Sequence, residues 1–492
     1  MESSTLTRPL PIGLKKIWIV LPLLGALLYY SSINNMKSLT ILIAIFCVAW
    51  SLINYEVNLA FFIFVLNAGA KFDPRWRDIA FTARWIFLFL FTFRSLLPWF
   101  FDRRKTEMTW FQVGVFLFCI ICSFGTINAY VQPSSLYRTI SLWFLVIALC
   151  FSIWKHMDSR EKVIAWLRIT VVIITCFLIM SLFYEDWRIV LIEAQHRFMG
   201  TYMNPNQLAL VTLFQIPAAF YLYRYEKDRR KYSFVHYLYL AMSLLGLLSL
   251  LLTGSRASIG GMFGGVMAAL ALYYGRRFIM LFTLFLMLSI ATIGIIEQIF
   301  ETGLVQKVIL REGSIKTMSG RSQLWEEGWE LFKKRPLMGY GFGTSDQVLL
   351  SGGNPRKIDL AVRFGPHAHN SFLRSFIESG IIGTSFILLF VISFPLKLLK
   401  LSVKIRSKEL HSLVLMFTVL ITGSILNNFF ESWLLSVGSL TCFLFWWSVM
   451  VIYKIELSES SFTEASDSMR TVSERILFEG EDKTIYPIER HA

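Results

Sequence analysis

Two histidines, His367 and His369, lie two residues apart in a polar stretch of a chain that contains only seven. An imidazole titrates near neutral pH, so it can act as a general base or an orienting group for a hydroxyl nucleophile. His369 is the stronger candidate, because Asn370 and Ser371 follow it where an apolar segment begins. A structural histidine bonded to a carbonyl remains an alternative. No HExxH pattern, nearby cysteine or obvious carboxylate supplies a third metal ligand, so we expect no metal site.

A first candidate anion site precedes the apolar segment that starts near residue 206. Asn204 can cap that helix, Pro205 suits its first position, and Gln207 stands where a capping-box partner belongs. A well-formed helix start explains these three residues but leaves Arg197 unexplained. Because a helix N-terminus beside an arginine attracts anions, we expect Arg197 to bind phosphate, with Asn204 and Asn206 as candidate substrate contacts.

Two further arginines also stand at helix starts. Arg256 follows Ser255 where two apolar segments meet with almost no loop. An arginine near hydrocarbon usually faces a cavity or a partner, which favours an anion clamp over the alternative of a snorkelling interfacial side chain. Arg321 opens a predicted helix that extends to about Lys334, and it is either a helix cap or a substrate contact. That helix is expected to lie on the membrane surface or to cap the domain.

The elements that must position these residues are membrane helices. The chain has 492 residues, of which 55% are hydrophobic and 16% charged, whereas a soluble protein carries about 25% charged residues. Apolar runs near 20 residues predict an all-α polytopic membrane protein with about 12–14 transmembrane helices. The candidate spans lie near 17–33, 38–54, 57–70, 80–100, 109–128, 138–154, 163–184, 206–223, 235–253, 257–274, 278–298, 372–399, 410–427 and 432–453.

The same pattern divides the chain into four parts. We predict an N-terminal helical bundle over 1–298 and one large external loop over 299–371, which contains short helices and the candidate catalytic residues. C-terminal transmembrane helices follow over 372–453, and a polar tail over 454–492 is expected to be disordered and cytoplasmic. A glycine-rich stretch inside the loop, 339–343, lacks the context of a nucleotide site, so we interpret it as a tight turn.

Orientation follows from the basic residues of the short loops. They cluster in alternate loops, which places the N- and C-termini in the cytoplasm and the large loop outside. These clusters are Arg103 to Lys105, Lys155 to Lys162, Arg224 to Lys231, Arg276 with Arg277, and Lys397 to Lys408. Lys71, Arg75 and Arg77 conflict with this assignment. The net charge of +15 therefore reflects membrane topology, and no nucleic-acid partner is expected.

The motifs taken together resemble the O-antigen ligase and O-antigen polymerase superfamily. The resemblance covers about residues 190–385 and depends on the order of the motifs and on the side of the membrane that they share. The first half of the chain matches only as a hydrophobic profile. The motifs are Arg197…Gly200-Thr201…Asn204-Pro205-Asn206, Thr253-Gly254-Ser255-Arg256, Gly320-Arg321…Trp325…Pro336…Gly339-Tyr340-Gly341 and His369-Asn370-Ser371-Phe372…Glu378-Ser379-Gly380-Ile381-Ile382-Gly383.

This resemblance implies a metal-independent membrane glycosyltransferase without a cofactor, in the bacterial inner membrane, with its site facing outward. Such proteins take a glycan from an undecaprenyl-diphosphate carrier and attach it to a lipid A core, to another carrier-linked glycan or to a protein. By resemblance, Arg197 and Arg256 hold the diphosphate and His369 assists the acceptor hydroxyl, while Arg321 carries over more weakly. His367 and Asn370 are further candidate substrate contacts. Membrane lipids are the other expected partners.

Two other functions remain open from the sequence. A transporter or lipid-carrier flippase could use the intramembrane Arg84 and Arg94 along its pathway, although no inverted repeat is evident. A non-catalytic membrane scaffold or sensor would depend chiefly on the tail. The outward arginines and His369 favour the transferase over both.

Overall fold

The computed structural model describes residues 37–69, 74–101, 108–183, 197–229, 234–275, 277–281, 321–353 and 367–457. The regular secondary structure of these ranges is helical, and it forms fourteen helices, of which α5 contains a π-helical segment over Ala148–Ile153. They are α1 Lys37–Ile53, α2 Tyr55–Ala68, α3 Pro74–Phe101, α4 Trp110–Ile127, α5 Gln132–His156, α6 Arg160–Leu182, α7 Pro205–Arg229, α8 Val235–Thr253, α9 Arg256–Tyr274, α10 Arg321–Lys334, α11 Ser345–Ser351, α12 Ser371–Lys404, α13 Lys408–Asn428 and α14 Leu440–Leu457.

Eight of the described helices are long and apolar enough to cross a membrane: α4, α5, α6, α8, α9, α12, α13 and α14. This confirms the predicted all-α polytopic membrane fold. Twelve of the fourteen predicted spans coincide with described helices. Span 17–33, nearly all of span 278–298, Lys71 and the tail beyond Leu457 lie outside the described residues.

The last predicted span begins later than expected. The sequence placed its start near 432, whereas α14 begins at Leu440. The intervening residues 429–439 form a loop whose turns hydrogen-bond locally, for example from Ser436 N to the carbonyl of Trp433 at 3.0 Å. This loop contributes to both cavities described below.

Close backbone packing holds α9 against α13. A side chain at Gly261 would put a Cβ atom 2.6 Å from the carbonyl oxygen of Gly423, and one at Gly265 would lie 2.4 Å from that of Val419. Small residues four apart allow such contact between membrane helices. The packing places Arg256, the first residue of α9, beside the end of α13.

Helix α12 is broken at Gly380, where φ is +60°. The break exposes backbone groups that the segment following α10 satisfies. Ile381 N donates to the carbonyl of Pro336 at 2.7 Å, and Tyr340 N donates to the carbonyl of Ile377 at 2.8 Å. The predicted tight turn at 339–343 is confirmed, since Gly339, Gly341 and Gly343 all have positive φ.

Replacing Gly380 by alanine is expected to destabilise the protein by more than about 1 kcal/mol. The new Cβ atom would lie 2.3 Å from the carbonyl oxygen of Leu337. The alanine would also have to keep a positive φ, which is unfavourable for a residue with a side chain. Thermal unfolding of the purified protein in detergent measures the effect. Gly125→Ala is the matched control, because its Cβ atom would approach only to 3.9 Å, from the neighbouring Met338 carbonyl. Equal melting temperatures for the two variants would contradict this account.

Candidate active site

Several helix ends meet at one end of the bundle, which we term the site end. Helices α6, α8 and α13 finish there, and α7, α9, α12 and α14 begin there. Helix α10 packs over it, with Gly328 against Leu373 and Ile377 of α12. Three of the sequence-predicted residues, Asn206, Arg321 and His369, converge here on one carboxylate that the sequence analysis did not select, Glu431.

Glu431 is a buried acceptor for three side chains. Its Oε1 accepts hydrogen bonds from Asn206 Nδ2 at 2.7 Å and from Arg321 Nη2 at 3.0 Å. Its Oε2 lies 3.4 Å from Nδ1 of His369. Arg321 also donates through Nη1 to the carbonyl of Phe430 at 2.7 Å. A carboxylate at this position can orient the imidazole and stabilise its protonated form.

Local chemistry fixes His369 where α12 begins. Asn370 caps the helix, accepting from the backbone N–H groups of Phe372 and Leu373 at 2.9 and 3.0 Å. The Ser371 hydroxyl lies 2.6 Å from Oδ1 of Asn428, tying the start of α12 to the end of α13. His369 itself has φ +46°, an uncommon conformation for a residue with a side chain. Strained backbone of this kind clusters at functional sites.

Arg197 joins the same network through Asn206. Its Nε donates to the carbonyl of Thr253 at 2.7 Å, and its Nη2 donates to Oδ1 of Asn206 at 2.6 Å. Asn206 then donates to Glu431, so its amide links the arginine to the carboxylate. Arg197 is thus held against the turn between α8 and α9, which Gly254 forms with φ +59°.

Arg256 lines a cavity of about 450 Å³ next to this network. We call it the apolar cavity, since its other lining residues are mostly carbon-rich: Ala257, Gly260, Gly261, Trp325, Leu426, Phe429 and Phe430, together with Asn370. Arg256 is exposed, and within the described ranges no hydrogen bond or ion pair engages its guanidinium. Its charge is therefore available to an anion that enters the cavity.

His367 does not join His369. Its Nδ1 lies 3.1 Å from Oδ1 of Asp346, and the two imidazole rings are 6.2 Å apart and nearly perpendicular. Asn204 caps α7 as predicted, accepting from Gln207 N at 2.9 Å. Both His367 and Asn204 line a second cavity.

The predicted helix starts located Asn206, Arg321 and His369 correctly at one end of the bundle, but the sequence analysis did not select Glu431. Glu431 lies in the short connection between the predicted spans 410–427 and 432–453, and a lone acid there was the available signal. What results is a histidine paired with a carboxylate, beside three arginines. Such a set can accept a proton at His369 while cations stabilise a departing anion.

Known proteins resemble this chain over part of its length. The O-Antigen ligase family profile matches residues 241–388, which include Arg256, Arg321, His367 and His369. The Exopolysaccharide production protein ExoQ of Rhizobium meliloti (strain 1021) is 34% identical over 77 residues. That similarity covers 14% of this chain and 17% of the relative. Both similarities support a relationship to the O-antigen ligase and O-antigen polymerase superfamily, and the chain spans less than a fifth of the length of the relative that it matches.

Proposed function

We propose that this protein transfers a glycan from an undecaprenyl-diphosphate carrier to a hydroxyl of a lipid A core or of another carrier-linked glycan. The convergence of His369, Arg321 and Asn206 on Glu431, next to the cavity of Arg256, is the observation that carries the proposal. The similarity of residues 241–388 to the O-Antigen ligase family also supports it.

The reaction is a displacement at the anomeric carbon of the donor. The acceptor oxygen forms a bond to that carbon, and the bond to the diphosphate oxygen breaks, leaving its electron pair on the phosphate. The acceptor proton passes to Nε2 of His369, the ring nitrogen that Glu431 does not contact, and then to solvent. Glu431 stabilises the imidazolium, since its Oε2 faces Nδ1.

The cations have a complementary task. Negative charge grows on the diphosphate as it departs, and fixed guanidiniums stabilise such charge without reorganisation. Arg256 stands at a largely carbon-lined cavity, which suits a prenyl chain that ends in phosphate. Arg197 is the second phosphate contact in this proposal, and Asn206 and Arg321 hold Glu431 in place. No step requires a metal or a nucleotide.

The protein would lie in the bacterial cytoplasmic membrane with the site end facing outward and both termini in the cytoplasm. Basic side chains at the opposite end of the bundle support this orientation. There Arg160 pairs with Glu409, and Lys397 pairs with Glu456. The bilayer would keep the carrier in register with the site, so that part of the cost of orienting the donor is avoided.

Replacing Arg256 by alanine tests the proposal. We expect transfer to fall roughly 10- to 100-fold, because a hydrogen bond to a charged group contributes about 1.5–3 kcal/mol. Transfer in membranes, corrected for protein amount, is the measurement. Arg277→Ala is the matched control, an exposed arginine just beyond the other end of α9.

Wild-type transfer by Arg256→Ala would count against the proposed diphosphate contact. Movement of the carrier across vesicle membranes without any glycan transfer would instead favour the transporter alternative.

A further inference from the structure

The second cavity lies beside the proposed transfer site and is built differently. It encloses about 500 Å³ and receives three arginine side chains from three different helices, namely Arg84 of α3, Arg138 of α5 and Arg374 of α12. We call it the arginine chamber. Its volume lies within the roughly 300–1,000 Å³ of ligand sites. Neither the network around Glu431 nor the apolar cavity uses these arginines.

Each arginine is held in position by described neighbours. Arg374 is nearly buried and donates to Oε1 of Glu378 at 2.8 Å and to the carbonyl of Ser432 at 3.1 Å. Arg84 donates to the carbonyl of Gly438 at 2.9 Å. Arg138 lies 4.0 Å from the carboxylate of Asp346. Arg84 and Arg374 are therefore hydrogen-bonded before any ligand arrives, and Arg138 lies near the carboxylate of Asp346.

Two glycines make room for two of these side chains. A Cβ atom at Gly343 would lie 2.1 Å from the Arg138 side chain, and one at Gly438 would lie 2.9 Å from the Arg84 guanidinium. Both glycines have positive φ, +80° and +88°. The backbone of the turn after α10 thus packs closely against Arg138, and the backbone of the loop before α14 packs closely against Arg84.

The described charged groups of the chamber are mostly basic. Three guanidiniums line it, Asp346 lies near Arg138 and His367, and Glu378 pairs with Arg374. Burial alone would raise the pKa of Asp346, but the hydrogen bond from His367 and the charges of Arg374 and Arg138 outweigh it and hold that pKa at about 2. Asp346 is therefore ionised at any physiological pH.

We propose that the arginine chamber binds an anionic substituent, a sugar carboxylate or a phosphate, of the glycan that supplies the acceptor hydroxyl. This inference deepens the proposed function and rests on it. The segment 367–370 contributes to both cavities, since His367 lines the chamber and Asn370, the residue after His369, lines the apolar cavity assigned to the donor's diphosphate. The rings are 6.2 Å apart, so an acceptor anchored at His367 has its neighbouring sugar within reach of His369.

Binding of small acidic sugars to the whole protein in lipid nanodiscs tests the inference without requiring transfer. The probes are glucuronate, glucose 6-phosphate and glucose, titrated by saturation-transfer NMR. We expect one of the acidic sugars to bind at least tenfold more tightly than glucose, and Arg138→Gln to remove about tenfold of that affinity. Preference for glucuronate identifies a carboxylate as the natural group, and preference for glucose 6-phosphate identifies a phosphate.

The control is Lys333→Gln, which removes an exposed cation paired with Glu330 on the surface of α10. It should leave the affinity for acidic sugars unchanged. Equal binding of all three sugars, or equal loss of affinity in Arg138→Gln and Lys333→Gln, would overturn the chamber assignment.

A transfer assay separates this inference from the proposed function. Native acceptor glycan is compared with the same glycan after reduction of its carboxyl groups to alcohols or removal of its phosphates. We expect the matching treatment to raise the wild-type KM about tenfold and to abolish the difference between wild type and Arg138→Gln. If neither treatment changes the wild-type KM, the inference fails while the transferase proposal stands. Selective binding of acidic sugars with no transfer of any glycan would overturn the transferase proposal and the assignment to an acceptor, and would leave the chamber as an anion site only.

Discussion

Replacing His369 by alanine is expected to slow glycan transfer by about 10²- to 10⁴-fold, the usual contribution of a positioned general base. The side chain is about one-third exposed and contacts Glu431 at 3.4 Å, so its removal leaves no large buried cavity. The amount of protein in the membrane should therefore stay close to that of the wild type. Initial rates of transfer in membrane fractions, normalised to protein, measure the effect.

His411→Ala is the matched control, because that partly buried histidine stacks on Tyr273 at the other end of the bundle. It should transfer glycan at the wild-type rate. Comparable losses in the two variants would show that His369 matters for folding or insertion, and near-normal transfer by His369→Ala would remove it from the mechanism.

Glu431→Gln is expected to reduce transfer about 100-fold with little change in protein amount. Glutamine keeps the shape of the side chain and can still accept from Asn206 and Arg321, but it lacks the charge that stabilises protonated His369. Combining it with His369→Ala gives a sharper test. If the carboxylate acts through the imidazole, the double variant should be about as slow as His369→Ala alone.

The control for the carboxylate is Glu330→Gln, an exposed acid on α10 that pairs with Lys333. It should be active at the wild-type level. Losses that multiply in the double variant would show that Glu431 and His369 act independently, which is incompatible with the proposed pair.

Much of the fold could be predicted because membrane helices leave a strong local signal. Runs of apolar residues located twelve of the described helices, and the helix starts at Pro205 and Arg321 followed from capping residues and proline. The break at Gly380 was not predicted. Its cause is tertiary, since the segment after α10 satisfies the backbone groups that the break exposes.

The site was predicted in part for the same reason. Arg197, Asn206, Arg321 and His369 stand at or before helix starts, and helices that alternate in direction bring such starts to one end of a bundle. Glu431 escaped notice because it stands alone in the short connection between the predicted spans 410–427 and 432–453, with no other candidate residue nearby in the sequence. Its pairing with three residues distant in sequence is a long-range property that no local pattern reveals.

The separation of the two histidines had another cause. Their spacing suggested a shared role, yet the backbone turns at His369, where φ is positive. His367 instead contacts Asp346 and lines the arginine chamber. The positions of Arg84, Arg138 and Arg374 also depend on glycine turns in distant segments. The sequence analysis considered only Arg84 among these three, as a residue along a transport pathway.

The central claim, transfer from a lipid diphosphate by the His369–Glu431 pair, is tested most directly by mass spectrometry of carrier-linked glycans. The cells would be a deletion strain that carries an empty plasmid, the wild-type gene or the His369→Ala/Glu431→Gln variant. We predict that carrier-linked glycan accumulates with the empty plasmid and with the variant, and that the wild-type gene clears it. Single repeat units would indicate a polymerase and full-length chains a ligase. An unchanged carrier-linked pool on deletion, or clearance by the double variant, would contradict the account.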